Sequence, residues 1–219
     1  MNKTFTQAEQ ASLEEVMRHR RDVRGNNFLS DDISDDKLQK ILEAAAYAPS
    51  VGFSQPWEFV VIRNPEIKKS IYNNFVEENE AAKTQFEGER SDAYQRLKLE
   101  GILEAPVNIA VFYQSSDSPV LGQTSMPEVG EYSVVCAIQN MWLMSRALDI
   151  GIGWVSILDP EYVKTQLNAP KGHKLIAYLC LGYVKEFYTG PELERLNWAK
   201  KKRLESAIFV DKYSGDSEA

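Results

Sequence analysis

Apolar residues recur along the chain with two different spacings, which predict strands and helices in turn. Short apolar runs rich in β-branched and aromatic residues predict four buried strands. These are Trp57–Arg63, Val107–Tyr113, Gly153–Leu158 and Leu175–Val184. Apolar positions three or four residues apart predict helices over residues 11–20, from Ser34 to Pro49, over Pro65–Lys83, Asp92–Leu103 and Tyr132–Leu148, and from Asp159 onward. Helices interleaved with strands in this way predict an α+β domain of three layers.

The C-terminal part of the chain follows a different pattern. Beyond Gly190, large apolar residues are dispersed through polar sequence, namely Trp198, Leu204, Ile208 and Phe209. Such a segment cannot form a core of its own, so we expect it to dock onto another surface. No repeat, low-complexity block or flexible linker divides the chain, and 219 residues suit one domain. We therefore expect a single domain over residues 1–219, with a C-terminal extension from about residue 190.

Composition and charge exclude several classes of function. A net charge of −7 and a pI near 5.1 argue against nucleic acid as the main partner. No run approaches the about 18 apolar residues that span a bilayer, and the first residues lack the apolar core of a signal peptide. The two cysteines, Cys136 and Cys180, lie in apolar runs and are expected to be core residues in a reducing compartment. His19 and His173 are isolated, so we expect no metal site. The reducing compartment and the lack of a signal peptide predict a cytoplasmic protein.

Three arginines surround one carboxylate in Arg20-Arg21-Asp22-Val23-Arg24. Guanidinium groups so close together repel one another unless an anion lies among them, and arginine is well shaped to bind phosphate through two hydrogen bonds. A solvated helix end, in which Asp22 pairs with its neighbours, is an equally good interpretation of this segment alone.

A second candidate segment runs from Ala48 to Trp57, between a predicted helix and a predicted strand. Its small residues would let backbone amides approach a planar ligand, and its serines and Gln55 could bind the polar edge of that ligand. A tight helix-to-strand connection is the other interpretation, and it is common for this composition.

A nicotinamide site of the Rossmann type is not predicted. Gly151 and Gly153 begin to match the dinucleotide fingerprint, but Ser156 stands where its third glycine should be. These glycines also follow a predicted helix and enter a strand, which is the reverse of the order that the fingerprint requires.

Taken together, Arg-Arg-x-x-Arg and the later Ala-Pro-Ser-x-x-x-x-Gln-Pro-Trp resemble the FMN-binding core of the nitroreductase-like flavoprotein family. Further matching segments are Glu104–Pro106, Cys136–Asn140, Gly151–Trp154 and Leu181–Tyr183. The resemblance implies a nitroreductase-like three-layer fold with a central mixed sheet flanked by helices. It also implies a homodimer with FMN at the subunit interface, in which the C-terminal extension wraps around the partner.

The same resemblance implies which residues bind FMN. The arginines would hold its phosphate, together with a basic residue of the C-terminal region, for which Lys201 is chosen beside Lys202 and Arg203. The full expected set is Arg20, Arg21, Asp22, Val23, Arg24, Pro49, Ser50, Val51, Gly52, Gln55, Leu103, Gly153, Trp154, Ser156 and Lys201.

Within the family, the chain resembles the branch that breaks down FMN to make 5,6-dimethylbenzimidazole. Asp22 and Phe53 stand where most nitroreductases carry serine and asparagine. Segments that support this branch are Gly88–Arg90, Leu97–Ile102, Val120–Gly122, Tyr132–Ala137 and Trp154–Ile157.

The branch implies a reaction in which reduced FMN is both cofactor and substrate. O2 is the co-substrate, erythrose 4-phosphate is the second product, and a separate flavin reductase supplies the reduced FMN. Asp22 would be the catalytic acid or base, and Ser156 would bind near the reacting atoms. From the residues alone, a strand serine satisfied by backbone is the favoured interpretation of Ser156. The alternatives are an NAD(P)H-dependent nitro- or quinone reductase and a flavin-binding protein without catalytic activity.

Overall fold

The computed structural model describes residues 2–213. The helices are α1 (Gln7–His19), α2 (Asp35–Ala46), α3 (Pro65–Lys83), α4 (Gly88–Gln95), α5 (Val129–Ala147), α6 (Pro160–Gln166) and α7 (Glu192–Arg195). The strands are β1 (Trp57–Ile62), β2 (Val107–Gln114), β3 (Ile150–Val155) and β4 (His173–Tyr183). The chain divides into a larger compact unit that ends at Thr189 and a smaller one that begins at Gly190. That the smaller unit is an extension of a single domain stays a prediction.

The larger unit is built on one sheet in the order β1-β2-β4-β3, and each strand pairs antiparallel with its neighbour. Within residues 2–213, the parallel component of the expected mixed sheet is confined to one bridge between Asp22 and Ile152. This bridge lies beside β3, so the chain just after α1 lines an outer edge of the sheet.

Alternating residues of the central strands build two cores, one on each face of the sheet. In β2, Ile109 belongs to one core and Phe112 to the other. The first core includes residues of α2 and α5, and the second includes residues of α3 and α6. The alternation follows from the two-residue period of a strand, and it produces the expected three layers and the α+β class.

The N-terminal helix begins earlier than its apolar pattern predicts. It begins at Gln7 because Thr6 and Glu9 form a capping box, in which the Thr6 hydroxyl accepts from the Glu9 N–H at 3.3 Å. The apolar spacing used for the prediction becomes regular only later in the helix.

The helix predicted over Asp92–Leu103 is wrong beyond Gln95, where α4 ends. The following residues form an irregular segment in which the Glu100 carboxylate accepts from the Ile102 N–H at 2.7 Å. A β-carbon on Gly101 would lie 2.6 Å from the Phe28 ring, so this backbone packs against the ring directly.

The expectation that both cysteines are core residues holds for Cys180, which is buried, and is wrong for Cys136, which is exposed. Cys136 lies on the outward face of α5, because Val134, Ala137 and Ile138 form its inward face. Among the described residues, no helix combines the length and the apolar character needed to cross a bilayer.

Candidate functional site

The Asp22–Val23 segment extends the sheet beyond β3 through one backbone bond and one side-chain bond. The Val23 N–H donates to the Ile152 carbonyl at 2.9 Å, and the Trp154 N–H donates to Asp22 Oδ1 at 3.0 Å. The Asp22 carboxylate thus takes the place that a backbone carbonyl would have in a regular ladder. A β-carbon on Gly153 would lie 2.1 Å from the Val23 carbonyl oxygen, so this close approach requires glycine.

Arg24 holds the second oxygen of the same carboxylate. Its Nη2 forms an ion pair with Asp22 Oδ2, and its Nη1 donates to the carbonyls of Leu99 at 3.0 Å and Trp154 at 3.1 Å. The Arg24 side chain is 14% exposed and that of Asp22 is 35% exposed. Asp22 is therefore fixed from behind by a mostly buried guanidinium, while part of its carboxylate faces solvent.

The other two arginines have different environments. The Arg21 guanidinium donates to four carbonyl oxygens, those of Tyr188 at 2.9 Å, Arg18 at 2.8 Å, Arg20 at 2.6 Å and Thr189 at 2.7 Å. Burial lowers the Arg21 pKa, and the nearby charges of Arg20 and Arg146 lower it further. The Arg20 guanidinium stacks over the Trp142 ring, 4.7 Å from its centroid, and makes no hydrogen bond or ion pair within residues 2–213. Of the three arginines, Arg20 has its donors available for an anion.

Trp142 on α5 connects the members of this cluster. Its indole N–H donates to the Arg21 carbonyl at 3.1 Å, and its ring lies 6.3 Å from that of Trp154. Trp142 was not among the residues predicted for the site, although a tryptophan in an apolar helix near two matched motifs is a signal that could have indicated it.

The second predicted segment forms a strained turn beside the first part of α5. The Ser50 hydroxyl accepts from the Gln55 N–H at 3.0 Å, and the Val51 N–H donates to the Ser133 hydroxyl at 3.1 Å. Gly52, Phe53 and Gln55 have φ values of 54°, 56° and 48°. Left-handed backbone at two non-glycine residues in one turn is unusual, and such strain is typical of binding sites.

This turn packs tightly against the loop that precedes α5. A β-carbon on Gly52 would lie 2.7 Å from the Leu121 carbonyl oxygen and 2.9 Å from the Val120 side chain. Phe53 is 82% exposed, and the side chain of Leu121, whose carbonyl faces Gly52, is exposed as well.

The two predicted segments contact α5 at different points along its length. The turn bonds to Ser133, whereas the arginine segment bonds to Trp142. A rise of 1.5 Å per residue puts these two positions about 14 Å apart along the helix axis. A single chain therefore does not bring the two halves of the predicted site into contact through α5.

Three further predicted residues lie outside these two segments. Ser156 lies just past β3 and is exposed, and its hydroxyl makes no hydrogen bond among the described residues, so the favoured interpretation of a backbone-satisfied strand serine is wrong. The Leu103 carbonyl accepts from the Lys68 ammonium at 3.4 Å. Lys201, in the smaller unit, has an exposed side chain and a backbone N–H that donates to Glu194 at 3.2 Å.

Two buried charged residues, Lys68 and Glu100, were not predicted from the sequence. Lys68 donates to the Ala105 carbonyl at 2.5 Å, and burial lowers its pKa. Glu100 is buried in the irregular segment before β2. No signal in the sequence separates these two charges from solvated ones. Residues 2–213 contain no group of three or more His, Cys, Asp or Glu side chains placed to bind a metal ion.

Comparison with known proteins places this geometry in a family. Residues 17–183 match the family model described as "Nitroreductase family". A 5,6-dimethylbenzimidazole synthase of Rhodospirillum rubrum is 44% identical over 192 residues, which cover 87% of this chain and 90% of that protein. A protein of the same name from Rhodobacter capsulatus is 37% identical over 196 residues, covering 89% of this chain and 94% of the relative.

A solved structure shares the fold at low identity. The crystal structure of oxidized iodotyrosine deiodinase bound to FMN and 3-iodo-L-tyrosine superposes with a TM-score of 0.72. The match covers 92% of this chain and 100% of that one at 20% identity, and it supports the fold alone. The family model and the relatives together show that the chain belongs to the nitroreductase family.

Proposed function

We propose that this chain breaks down reduced FMN in the presence of O2 and releases 5,6-dimethylbenzimidazole, the lower ligand of cobalamin, together with erythrose 4-phosphate. The relatives at 44% and 37% identity that are named 5,6-dimethylbenzimidazole synthase support the product. The observation that carries the proposal is the Asp22 carboxylate, which is held at the sheet edge beside an arginine with free donors.

The side chains present fit FMN. A dianionic phosphate needs cationic donors, and the Arg20 guanidinium is held flat against Trp142 with no hydrogen-bond acceptor of its own among residues 2–213. The turn at Ser50–Gln55 offers small residues and strained backbone to a planar ring. When bound, reduced FMN supplies the electrons for O2 and is itself the substrate.

Asp22 is the group suited to move a proton. Its ion pair with Arg24 favours the ionised carboxylate, so Asp22 would act first as a base. The Trp154 N–H and Arg24 fix its orientation, and its partly exposed surface leaves access for a ligand. The exposed Ser156 hydroxyl lies beyond Trp154 on the same strand end and is available as a hydrogen-bond partner, not as a base, because its basicity is too low.

We further propose that two copies of the chain complete each site. The two halves of the predicted site meet α5 about 14 Å apart along the helix, and in the proposed dimer the turn of a second copy would lie beside Arg20. An apolar cavity of about 330 Å³ opens between α1, α2 and α5, lined by Leu13, Val16, Tyr47, Leu143 and Met144 among others. Tyr132 and Val135 of α5 are also exposed. Exposed apolar area of this extent is typical of a subunit interface.

The proposed reaction is tested with reduced FMN and air, followed by chromatography of the products. We expect 5,6-dimethylbenzimidazole from the parent chain. Asp22→Asn should bind FMN with similar affinity and lose product by a factor of about 100 or more, since a positioned base contributes 10² to 10⁴. Asp36→Asn changes an exposed carboxylate that forms an ion pair with Lys40, and it should behave as the parent does. Oxidised FMN as the sole species after many hours would refute the proposal.

A second assay, with NAD(P)H and a nitroaromatic acceptor, distinguishes the alternatives. An NAD(P)H-dependent reductase would oxidise NAD(P)H with a nitroaromatic acceptor and retain its flavin, whereas a storage protein would bind FMN and give neither product. We propose a cytoplasmic reaction in which a separate reductase delivers reduced FMN.

Shared sites are tested by mixing two inactive variants. Asp22→Asn damages the arginine half, and Gly52→Val damages the turn, whose packing against Leu121 leaves no room for a side chain. If each site combines both halves from different copies, an equimolar mixture refolded together should recover about a quarter of the parental activity. Recovery of no activity from folded mixed dimers would contradict shared sites.

A further inference from the structure

A buried carboxylate lies behind the site, in the irregular segment between α4 and β2. The Glu100 side chain is 2% exposed, and buried carboxylates are rare unless they are paired. One oxygen accepts from the Ile102 N–H at 2.7 Å, and the other forms an ion pair with the Lys98 ammonium. Both oxygens therefore bind groups of the same short segment and fold it back on itself.

This segment holds the arginine segment through two successive carbonyl groups. The Leu99 carbonyl accepts from Arg24 Nη1 at 3.0 Å, and the Glu100 carbonyl accepts from the Gly25 N–H at 2.8 Å. Arg24 in turn forms the ion pair with Asp22. A continuous chain of bonds therefore connects Glu100 to Asp22, although the two side chains are not in contact.

The irregular segment and the arginine segment pack closely against each other. A β-carbon on Gly25 would lie 2.6 Å from the Glu104 carboxylate, and one on Gly101 would lie 3.1 Å from the Gly25 nitrogen. The contact between Gly101 and the Gly25 nitrogen leaves little free space between the two backbones, so we expect a displacement of Glu100 to be transmitted to Arg24.

The Glu100 charge also acts on titratable groups close to it. Partial burial lowers the pKa of Lys98, but the bonds and charges of Glu100 and Glu104 outweigh this, so the pKa is raised overall. The Cys180 thiol is buried. Burial is the main cause that raises its pKa, and the Glu100 charge raises it further. Lys98 pairs with Glu100, and the charges of Arg24 and Lys68 act on Cys180, whose pKa they lower in part.

We propose that Glu100 is a positioning residue, which shapes the Lys98–Gly101 segment so that the Leu99 carbonyl fixes Arg24 and, through it, the Asp22 carboxylate. This inference rests on the proposed role of Asp22 for its effect on the reaction. Its effect on the position of Asp22 does not depend on the reaction.

The experiment compares Glu100→Gln with Glu104→Gln. Both residues pair with Lys98, but Glu104 is more exposed and its carboxylate holds no backbone N–H among the described residues, which makes it a matched control. Glutamine has the shape of glutamate but would direct an amide N–H₂ or a neutral oxygen at the Lys98 ammonium.

Two readouts are taken at a temperature well below unfolding. The first is the titration of the Asp22 carboxyl, followed by carbon NMR without flavin. Loss of the Glu100 charge alone would move it to lower pH, whereas a loosened Arg24 stabilises the ionised form less, so a positioning role predicts a move to higher pH in Glu100→Gln. The second is the rate of product formation, which should fall about tenfold or more while the dissociation constant of FMN changes less than about threefold. Glu104→Gln should match the parent in both.

An unchanged Asp22 titration in folded Glu100→Gln would overturn the proposal, and so would an equal effect of Glu104→Gln. If the parent makes no product, the proposed function fails while the titration still decides the positioning role. If Glu100→Gln does not fold, Glu100→Asp is measured in its place. It keeps the charge but shortens the side chain that accepts from the Ile102 N–H, so the Asp22 titration should move in the same direction, and an unchanged titration would again overturn the proposal.

Discussion

Gly153 offers a direct test of how the site is assembled, because any side chain at this position would collide with the Val23 backbone. In Gly153→Ala the new β-carbon would lie 2.1 Å from the Val23 carbonyl oxygen. Such contacts need about 3 Å, so the Asp22–Val23 segment would have to move by about 1 Å. That movement would break the Val23–Ile152 bond of 2.9 Å and the Asp22–Trp154 bond of 3.0 Å.

The size of the effect follows from the two bonds. A neutral backbone bond contributes about 1 kcal/mol and a bond to a charged group about 2 kcal/mol, so we expect a loss of about 3 kcal/mol in the free energy of unfolding. Urea denaturation measures this loss, and FMN titration should show weaker binding in the same variant. Gly172→Ala is the control, since its β-carbon would meet only the Ser115 hydroxyl, at 4.0 Å. A loss within about 1 kcal/mol of the control would refute the close approach at Gly153.

Three further predictions concern single bonds and one thiol. Trp142→Phe keeps an aromatic ring but loses the bond to the Arg21 carbonyl, so FMN should bind about fivefold more weakly by fluorescence titration; unchanged binding would contradict this. Thr6→Ala removes the hydroxyl of the capping box and should destabilise α1 by about 1 kcal/mol, seen as faster amide exchange in α1 but not in the sheet. Burial raises the Cys180 pKa, so the folded state keeps the thiol proton that the unfolded state loses above about pH 8.5. Stability should then fall by about 1.4 kcal/mol per pH unit above that pH, and Cys180→Ala should lack this part of the slope in urea denaturation.

Most of the sheet could be predicted because strand periodicity is a local property. β1, β2 and β4 are within a few residues of their predicted bounds, since alternating or continuous apolar runs report burial directly. The false helix beyond Gln95 shows the limit of that reasoning. Leu99 and Ile102 have helical spacing, but the buried Glu100 carboxylate bonds to Ile102 and turns the chain instead. Nothing local to the sequence distinguishes a buried carboxylate from a solvated one.

The arginine segment shows the same limit at the candidate site. Three similar side chains predicted one anion site, but each has a different environment in the structure. Arg21 bonds to carbonyls at Tyr188 and Thr189, which are distant in sequence, whereas Arg24 pairs with Asp22 and Arg20 stacks on Trp142. Such a division depends on tertiary contacts that no spacing encodes. The motifs therefore predict where the segment lies, but the contacts of each arginine are visible only in the folded structure.

Because the Trp154 N–H donates to Asp22, the NMR signal of this amide reports on the state of the Asp22 carboxylate. An amide hydrogen that is held by an ionised carboxylate resonates and exchanges differently from one held by a neutral acid or by none. The chemical shift and the exchange lifetime of the Trp154 amide should therefore follow the protonation state of Asp22. They should also change when a bound ligand weakens the bond between the two residues. The state of the candidate catalytic base could then be read during binding, in the unmodified protein, without a probe in the site.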